Sequence, residues 1–77
     1  MEFISERIII DEKICNGKPT IKGTRITVQS IFNFLSAGES YDEILRQFPK
    51  LEAEDIYESL RFAGYLIDRN YSIKTID

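Results

Sequence analysis

Gly38 and Pro49 divide residues 27–67 into three segments, and each segment has the apolar spacing of an amphipathic helix. Thr27 is placed as the N-cap of the first segment, and Gly38 suits the left-handed position that follows a helix. Between them, apolar residues recur at i, i+3, i+4 and i+7: Val28, Ile31, Phe32 and Leu35. The pattern therefore predicts a first helix that buries one face.

The second and third segments predict two further helices. Ser40 and Glu43 have the spacing of a capping box, and Pro49 ends the segment that they begin. The second helix repeats the same apolar spacing: Tyr41, Ile44, Leu45 and Phe48. The third is expected to begin near residues 51–53 and to end at about Ile67. Its expected core stripe is Ile56, Leu60, Ala63 and Ile67.

The N-terminal part of the chain has strand-like composition. Phe3 to Ile10 is rich in β-branched residues, Asn16-Gly17 is a turn signal, and residues 20–22 form a second short candidate strand. Residues 1–26 are thus predicted to form a β hairpin or an extended arm, residues 27–67 a three-helix core, and residues 68–77 a C-terminal tail. Together they make one domain, residues 1–77, because 77 residues leave room for a single core.

A chain this short usually needs a disulfide or a bound metal ion for stability, and the sequence provides neither. Cys15 is the sole cysteine and there is no histidine, which excludes a disulfide and a conventional zinc site. Without a histidine to activate it, Cys15 is expected to pack as a small apolar side chain. The carboxylates have no recognisable catalytic spacing and are expected to be solvated. The sequence thus predicts a binding protein, not an enzyme, with no cofactor, metal or small-molecule substrate, supported by self-association or by a partner protein.

Charge and hydropathy limit the possible locations of the protein and the partners that it can bind. The N-terminus lacks the basic start and apolar run of a signal peptide, and no stretch reaches the roughly 20 apolar residues of a membrane span. A cytoplasmic protein without membrane contact is expected. The net charge is −3, yet residues 13–35 contain no acidic residue. Their four cations are the candidates for DNA contact through phosphates: Lys13, Lys18, Lys22 and Arg25.

Arg25 has a structural interpretation beside the DNA-binding one. It follows a Gly-Thr turn just before the first helix, and it could pair with an acid such as Glu43 or Asp55 and so hold the arm on the helices. The first turns of the third helix carry several carboxylates, which would repel phosphates. This helix is therefore not expected to read the major groove of DNA.

The C-terminal half of the third helix is apolar on more than one side. A domain of three short helices covers only one side, so the rest is expected to meet a second copy of the chain or another protein. The candidate interface, part of which must be core, includes two residues of the tail: Phe62, Tyr65, Leu66, Ile67, Tyr71 and Ile73.

Three blocks of the sequence resemble the domain of unknown function 433 family. The blocks read ICNGKPTIKGTRITV, SAGESYDEIL and PKLEAEDIYESLRFA, and they extend from Ile14 to Ala63. They follow the order of the family's C-x-G-x-P-x-I-x-G-T-R-I-x-V, L-x-x-G-x-S-x-x-E-I-L and P-x-L-x-x-x-D-I-x-x-x-L-x-x-A segments. The resemblance covers about two-thirds of the chain.

The resemblance implies a mainly α fold, a three-helix, homeodomain-like helix-turn-helix bundle with a short N-terminal β arm. It also implies an antitoxin-like protein of a bacterial toxin–antitoxin pair. Such a protein neutralises a ribonuclease-like toxin of the PIN class, and the complex represses its own operon by binding operator DNA. A homodimer is expected. The alternatives left open are a stand-alone DNA-binding transcriptional regulator and a protein-interaction module without a nucleic-acid role.

Overall fold

The structure, a computed structural model, describes residues 5–70. Within this range the chain forms two short strands followed by three helices. The elements are β1 (Ile8–Ile9), β2 (Thr20–Ile21), α1 (Val28–Ser36), α2 (Tyr41–Gln47) and α3 (Ala53–Asn70). The predicted mainly helical fold with an N-terminal hairpin is confirmed. α2 and α3, joined by five residues, occupy the positions of the two helices in the predicted helix-turn-helix.

The hairpin is folded back on the helices and does not extend from them. β1 and β2 are antiparallel, with Ile8 opposite Ile21 and Ile9 opposite Thr20. After β2 the chain makes a tight turn, and the Ile21 amide donates to the carbonyl of Ile26 at 2.9 Å. The expected strand over residues 3–10 is shorter than predicted, at two residues, and its first two positions lie outside the described residues.

The ends of α1 and α2 form as the sequence predicts. Thr27 Oγ1 accepts from the Ser30 amide, and Ser40 and Glu43 form a complete reciprocal capping box. Gly38 has φ +94° and donates to the Leu35 carbonyl, while the next amide reaches Phe34, which is a Schellman motif. Each N-cap of this kind contributes about 1 kcal/mol to helix stability.

The buried face of α3 differs from the expected stripe. Ile56 is buried as predicted, but Leu60 and Ile67 are 41% and 57% exposed. The face that packs inward instead carries Asp55, Ile56, Ser59 and Phe62. The error has a physical cause: Ser59 is polar but fully buried, because its Oγ donates to the carbonyl of Asp55 at 2.8 Å and needs no other partner.

The core is built from all three helices and the hairpin. Ile31, Ile44 and Ile56, one from each helix, are fully buried, and Ile8 and Ile21 add the hairpin's contribution. Complete burial of an isoleucine side chain contributes about 1.5–3 kcal/mol. The N-terminal segment predicted as an arm is therefore a layer of the core.

α3 is much longer than its neighbours. Its 18 residues extend about 27 Å, twice the length of α1, and it continues to Asn70, three residues past its predicted end. Phe62 is its last buried residue within the described range. The final two turns therefore continue beyond the core and carry exposed apolar side chains.

Candidate functional site

An ion-pair network attaches the hairpin to the start of α3. Arg7 Nη1 lies 2.9 Å from Asp55 Oδ1 and 3.1 Å from Glu52 Oε1. The other carboxylate oxygen of Asp55 accepts from the Glu52 amide at 2.8 Å, so the same side chain also caps the helix. Asp55 and then Glu52, as hydrogen-bond acceptors, raise the pKa of the Arg7 guanidinium. The Asp55 side chain is only 7% exposed, and a carboxylate that is buried to this extent needs a charged hydrogen-bonding partner. Arg7 is that partner.

The residue expected in this role was Arg25, and that prediction was wrong. Arg25 is exposed and forms no ion pair among residues 5–70. Its backbone carbonyl accepts a weak hydrogen bond from Cys15 Sγ at 3.5 Å. Cys15 is half-buried and has φ +52°, in a turn whose next two residues are also left-handed. Arg25 thus contacts the turn only through its backbone carbonyl, and its side chain is exposed.

Ser5 orders the chain just before β1. Ser5 Oγ accepts from the amides of Arg7 and Ile8 at 2.9 and 3.2 Å. A hydrogen bond from Ser5, followed by one from Arg61, lowers the pKa of the Glu58 carboxyl. Among the described residues, the ion pairs between the hairpin and the start of α3 are those of Arg7 with Asp55 and Glu52.

An apolar groove lies on the other side of the hairpin, between the loop before β2, α1 and the C-terminal half of α3. Its volume is about 360 Å³. Pro19 is held in place because its carbonyl accepts from the Val28 amide at 2.9 Å. The lining residues are Lys18 and Pro19 from the loop, Val28, Gln29 and Phe32 from α1, and Phe62, Ala63 and Leu66 from α3.

The groove is lined by two of the predicted interface residues, Phe62 and Leu66. Phe62 is 7% exposed and forms both core and groove wall, whereas Leu66 is 40% exposed. Tyr65 is half-buried, with the Arg69 guanidinium carbon 5.3 Å from the centre of its ring. Ile67 is exposed and does not line the groove. The other two predicted interface residues, Tyr71 and Ile73, lie outside the described residues.

The four predicted DNA-contacting cations are all exposed, and none forms an ion pair within the described range. They do not share one cleft. Lys18 borders the apolar groove, whereas Lys22 borders a polar cleft near the start of α3. That cleft is lined by Glu6, Arg7, Lys22, Lys50, Glu52 and Asp55. The remaining two, Lys13 and Arg25, line neither.

The carboxylates of α3 are largely compensated by arginines. Arg61 contacts Glu54 at 2.9 Å and Glu58 at 2.8 Å, in addition to the Arg7 pairs with Glu52 and Asp55. No group of three or more metal-binding side chains occurs in the part of the chain that the structure describes. In that same part, no helix has the length and apolar character that crossing a membrane requires.

These features define a small helical domain with an N-terminal hairpin locked onto its longest helix and an open apolar groove beside it. Residues 8–63 match the family model described as protein of unknown function (DUF433), and the chain belongs to that family. It is also similar to a crystal structure of a DUF433 member protein from Anabaena variabilis ATCC 29413, with a TM-score of 0.72 and 30% identity. That match covers 82% of this chain and 65% of the other, so the chain spans less than two-thirds of that relative. No curated protein matches the sequence.

The ion-pair network predicts that Asp55 is the most costly polar residue to remove. Asp55→Ala deletes a helix cap and leaves the Arg7 side chain without its buried partner, which should lower the free energy of unfolding by about 2 kcal/mol. Arg7→Ala should also destabilise the protein. The double variant should be less destabilised than the sum of the two, as measured by urea unfolding.

Arg61→Ala provides a matched control, because Arg61 also contacts two carboxylates of α3 but holds nothing from the hairpin. Amide hydrogen exchange at Lys22, whose N–H donates to the Arg7 carbonyl, should accelerate in Arg7→Ala and not in Arg61→Ala. Equal exchange rates in the two variants would show that the network does not hold the hairpin.

Proposed function

We propose that the protein is an antitoxin-like binding module of a bacterial toxin–antitoxin pair, which neutralises a PIN-like ribonuclease toxin by binding it through the apolar groove. The role follows from the resemblance of the three sequence blocks to their family. The surface is assigned from one observation: the groove continues from the core onto the exposed end of α3, so that its apolar lining lacks a cover within residues 5–70. Binding, not catalysis, is the activity proposed.

Exposed apolar side chains mark binding surfaces when they adjoin a preformed concavity. Phe32 and Phe62 provide a rigid aromatic floor, and Leu66 stands above it at the rim. Aromatic side chains such as these are enriched in protein interfaces, where a few well-packed, desolvated residues supply most of the binding energy. The groove therefore supports a protein partner better than a polar ligand.

A homodimer is proposed through a different surface, the outer face of α3. This face carries Tyr57, Leu60 and Ile67, all more than 40% exposed. Gly64 lies among them, and a side chain there would meet nothing within 4 Å, so another helix has room to approach closely. The proposal thus separates self-association from toxin capture, which the sequence left together, by giving each a different face of α3.

Leu60 and Leu66 form a matched pair that tests this division. Both are leucines of α3, 41% and 40% exposed, but only Leu66 lines the groove. Leu66→Asp should abolish the complex with the toxin encoded in the adjacent reading frame, because a buried unpaired carboxylate costs several kcal/mol. Leu60→Asp should retain that complex while converting the free dimer to a monomer. Co-expression with growth rescue measures the toxin complex, and size-exclusion chromatography with light scattering measures the oligomeric state of the free protein.

The opposite pattern would contradict the assignment: a complex that survives Leu66→Asp and is lost in Leu60→Asp places the toxin on the outer face. Circular dichroism of each variant verifies that the helices have formed. If neither variant changes the complex, the C-terminal half of α3 is not the toxin-binding surface.

DNA binding by the complex is a second proposed activity, supported by the four exposed cations that have no ion-pair partner within residues 5–70. Four phosphate contacts per chain, or about eight in a dimer, would make the affinity strongly dependent on salt. The pairing of the α3 carboxylates with Arg7 and Arg61 also lowers the repulsion that the sequence suggested. Operator binding fits an antitoxin complex and equally fits a stand-alone regulator.

Lys13 and Lys22 are the residues to change, since they lie outside the apolar groove and Lys18 does not. The double variant Lys13→Glu/Lys22→Glu should weaken promoter-DNA binding at least tenfold at low salt and leave the toxin complex intact. Fluorescence anisotropy at two salt concentrations measures the effect. Unchanged DNA affinity would exclude Lys13 and Lys22 as phosphate contacts. Absence of DNA binding by the unmodified complex and by the free protein would leave the interaction module without a nucleic-acid role as the remaining interpretation.

A further inference from the structure

We infer that the apolar groove recognises an acidic, apolar segment of the partner protein, with Lys18 as the residue that selects for negative charge. This inference rests on the proposed function and names the chemistry of the segment that the groove accepts.

The charge around the groove is opposite to that of the protein as a whole. The chain has a net charge of −3, with 13 acidic and 10 basic residues. Nevertheless, the groove is lined by no carboxylate, and its only charged lining residue is Lys18. Lys18 is exposed and unpaired by any acid within residues 5–70. A partner that leaves this ammonium group without a counter-charge on binding loses affinity, whereas a carboxylate at this position gains a charge-assisted hydrogen bond.

A second exposed cation, Arg69, lies on the same helix as Leu66 but does not line the groove. Arg69 follows Leu66 by three residues on α3, and residues three apart lie on neighbouring positions of one helix face. The carbon of its guanidinium group lies 5.3 Å from the centre of the Tyr65 ring, a cation–π contact. Lys18 is therefore the one cation among the residues that line the groove.

The floor accepts apolar side chains from a helix or an extended segment. Its aromatic residues, Phe32 and Phe62, are contributed by two different helices and are held by the core below. A volume of about 360 Å³ is near the lower end for binding pockets and suits a few side chains rather than a large ligand. Helix-in-groove recognition uses such anchors at i and i+4, and an acidic residue beside them would meet Lys18.

Two synthetic helical peptides test this inference. They share leucines at i, i+4 and i+7, and differ only in that their remaining charged positions are glutamate in one and lysine in the other. The full-length protein should bind the glutamate peptide at least tenfold more tightly at low salt, as measured by fluorescence anisotropy. Long-range attraction by the net negative charge of the protein would instead favour the lysine peptide.

Variants identify the residue responsible. Lys18→Glu should remove or reverse the preference for the glutamate peptide, and Lys13→Glu, the same change at an exposed lysine outside the groove, should not. Leu66→Asp should remove binding of both peptides. Equal affinity for the two peptides, or a preference that survives Lys18→Glu, would overturn the inference. So would a dimer that Leu66→Asp converts to a monomer, which would assign the groove to a second copy of the chain.

The outcome can be separated from that of the proposed function. A toxin complex that depends on Leu66 but is indifferent to Lys18→Glu would overturn the charge selection and leave the antitoxin proposal standing. A clear glutamate preference without any toxin complex would support the groove chemistry and remove the antitoxin role.

Discussion

The attachment of the hairpin to α3 is the interaction on which the rest of the structure depends. Asp55 is nearly inaccessible to solvent, and a carboxylate in that environment requires compensation. It obtains this from Arg7, 48 residues away in the sequence, and from the backbone amide that opens its own helix. One side chain thereby starts α3 and fixes the hairpin on it.

The consequences of this attachment reach both the core and the groove. With the hairpin in place, Ile8 and Ile21 complete an apolar core that three short helices alone would leave open. The same chain path brings Pro19 and Lys18 against α1, where they form one wall of the groove. A small domain with no disulfide thus uses a buried polar contact to position the surface proposed to bind its partner.

Features that depend on near neighbours in the sequence were predictable. The caps at Thr27 and Ser40 and the helix end at Gly38 are each determined within four residues, and all three formed as expected. The face of α3 was not predictable from hydropathy, because the core accepts Ser59 and Asp55 and leaves Leu60 in solvent. The choice of Arg7 over Arg25 depends on how the hairpin folds back, which no local pattern contains.

Only part of the apolar groove was predictable from the sequence. Phe62 and Leu66 could be selected because their helix has more apolar surface than a small core can cover. Phe32 and Pro19 could not be selected as groove residues. The amphipathic pattern of α1 already accounted for Phe32, and a turn accounted for Pro19. Lys18 was selected as a phosphate contact, and only its position beside an apolar floor suggests recognition of a carboxylate.

Hydrogen exchange on the free protein and on its complex with the proposed toxin, the product of the adjacent reading frame, tests the central claim most directly, since it maps the binding surface without any mutation. If the groove is the binding surface, protection on complex formation should concentrate in residues 28–32 of α1 and residues 62–66 of α3. Residues 41–47 of α2 should be unchanged. Protection confined to α2, or to residues 13–25 without the two groove helices, would contradict the account.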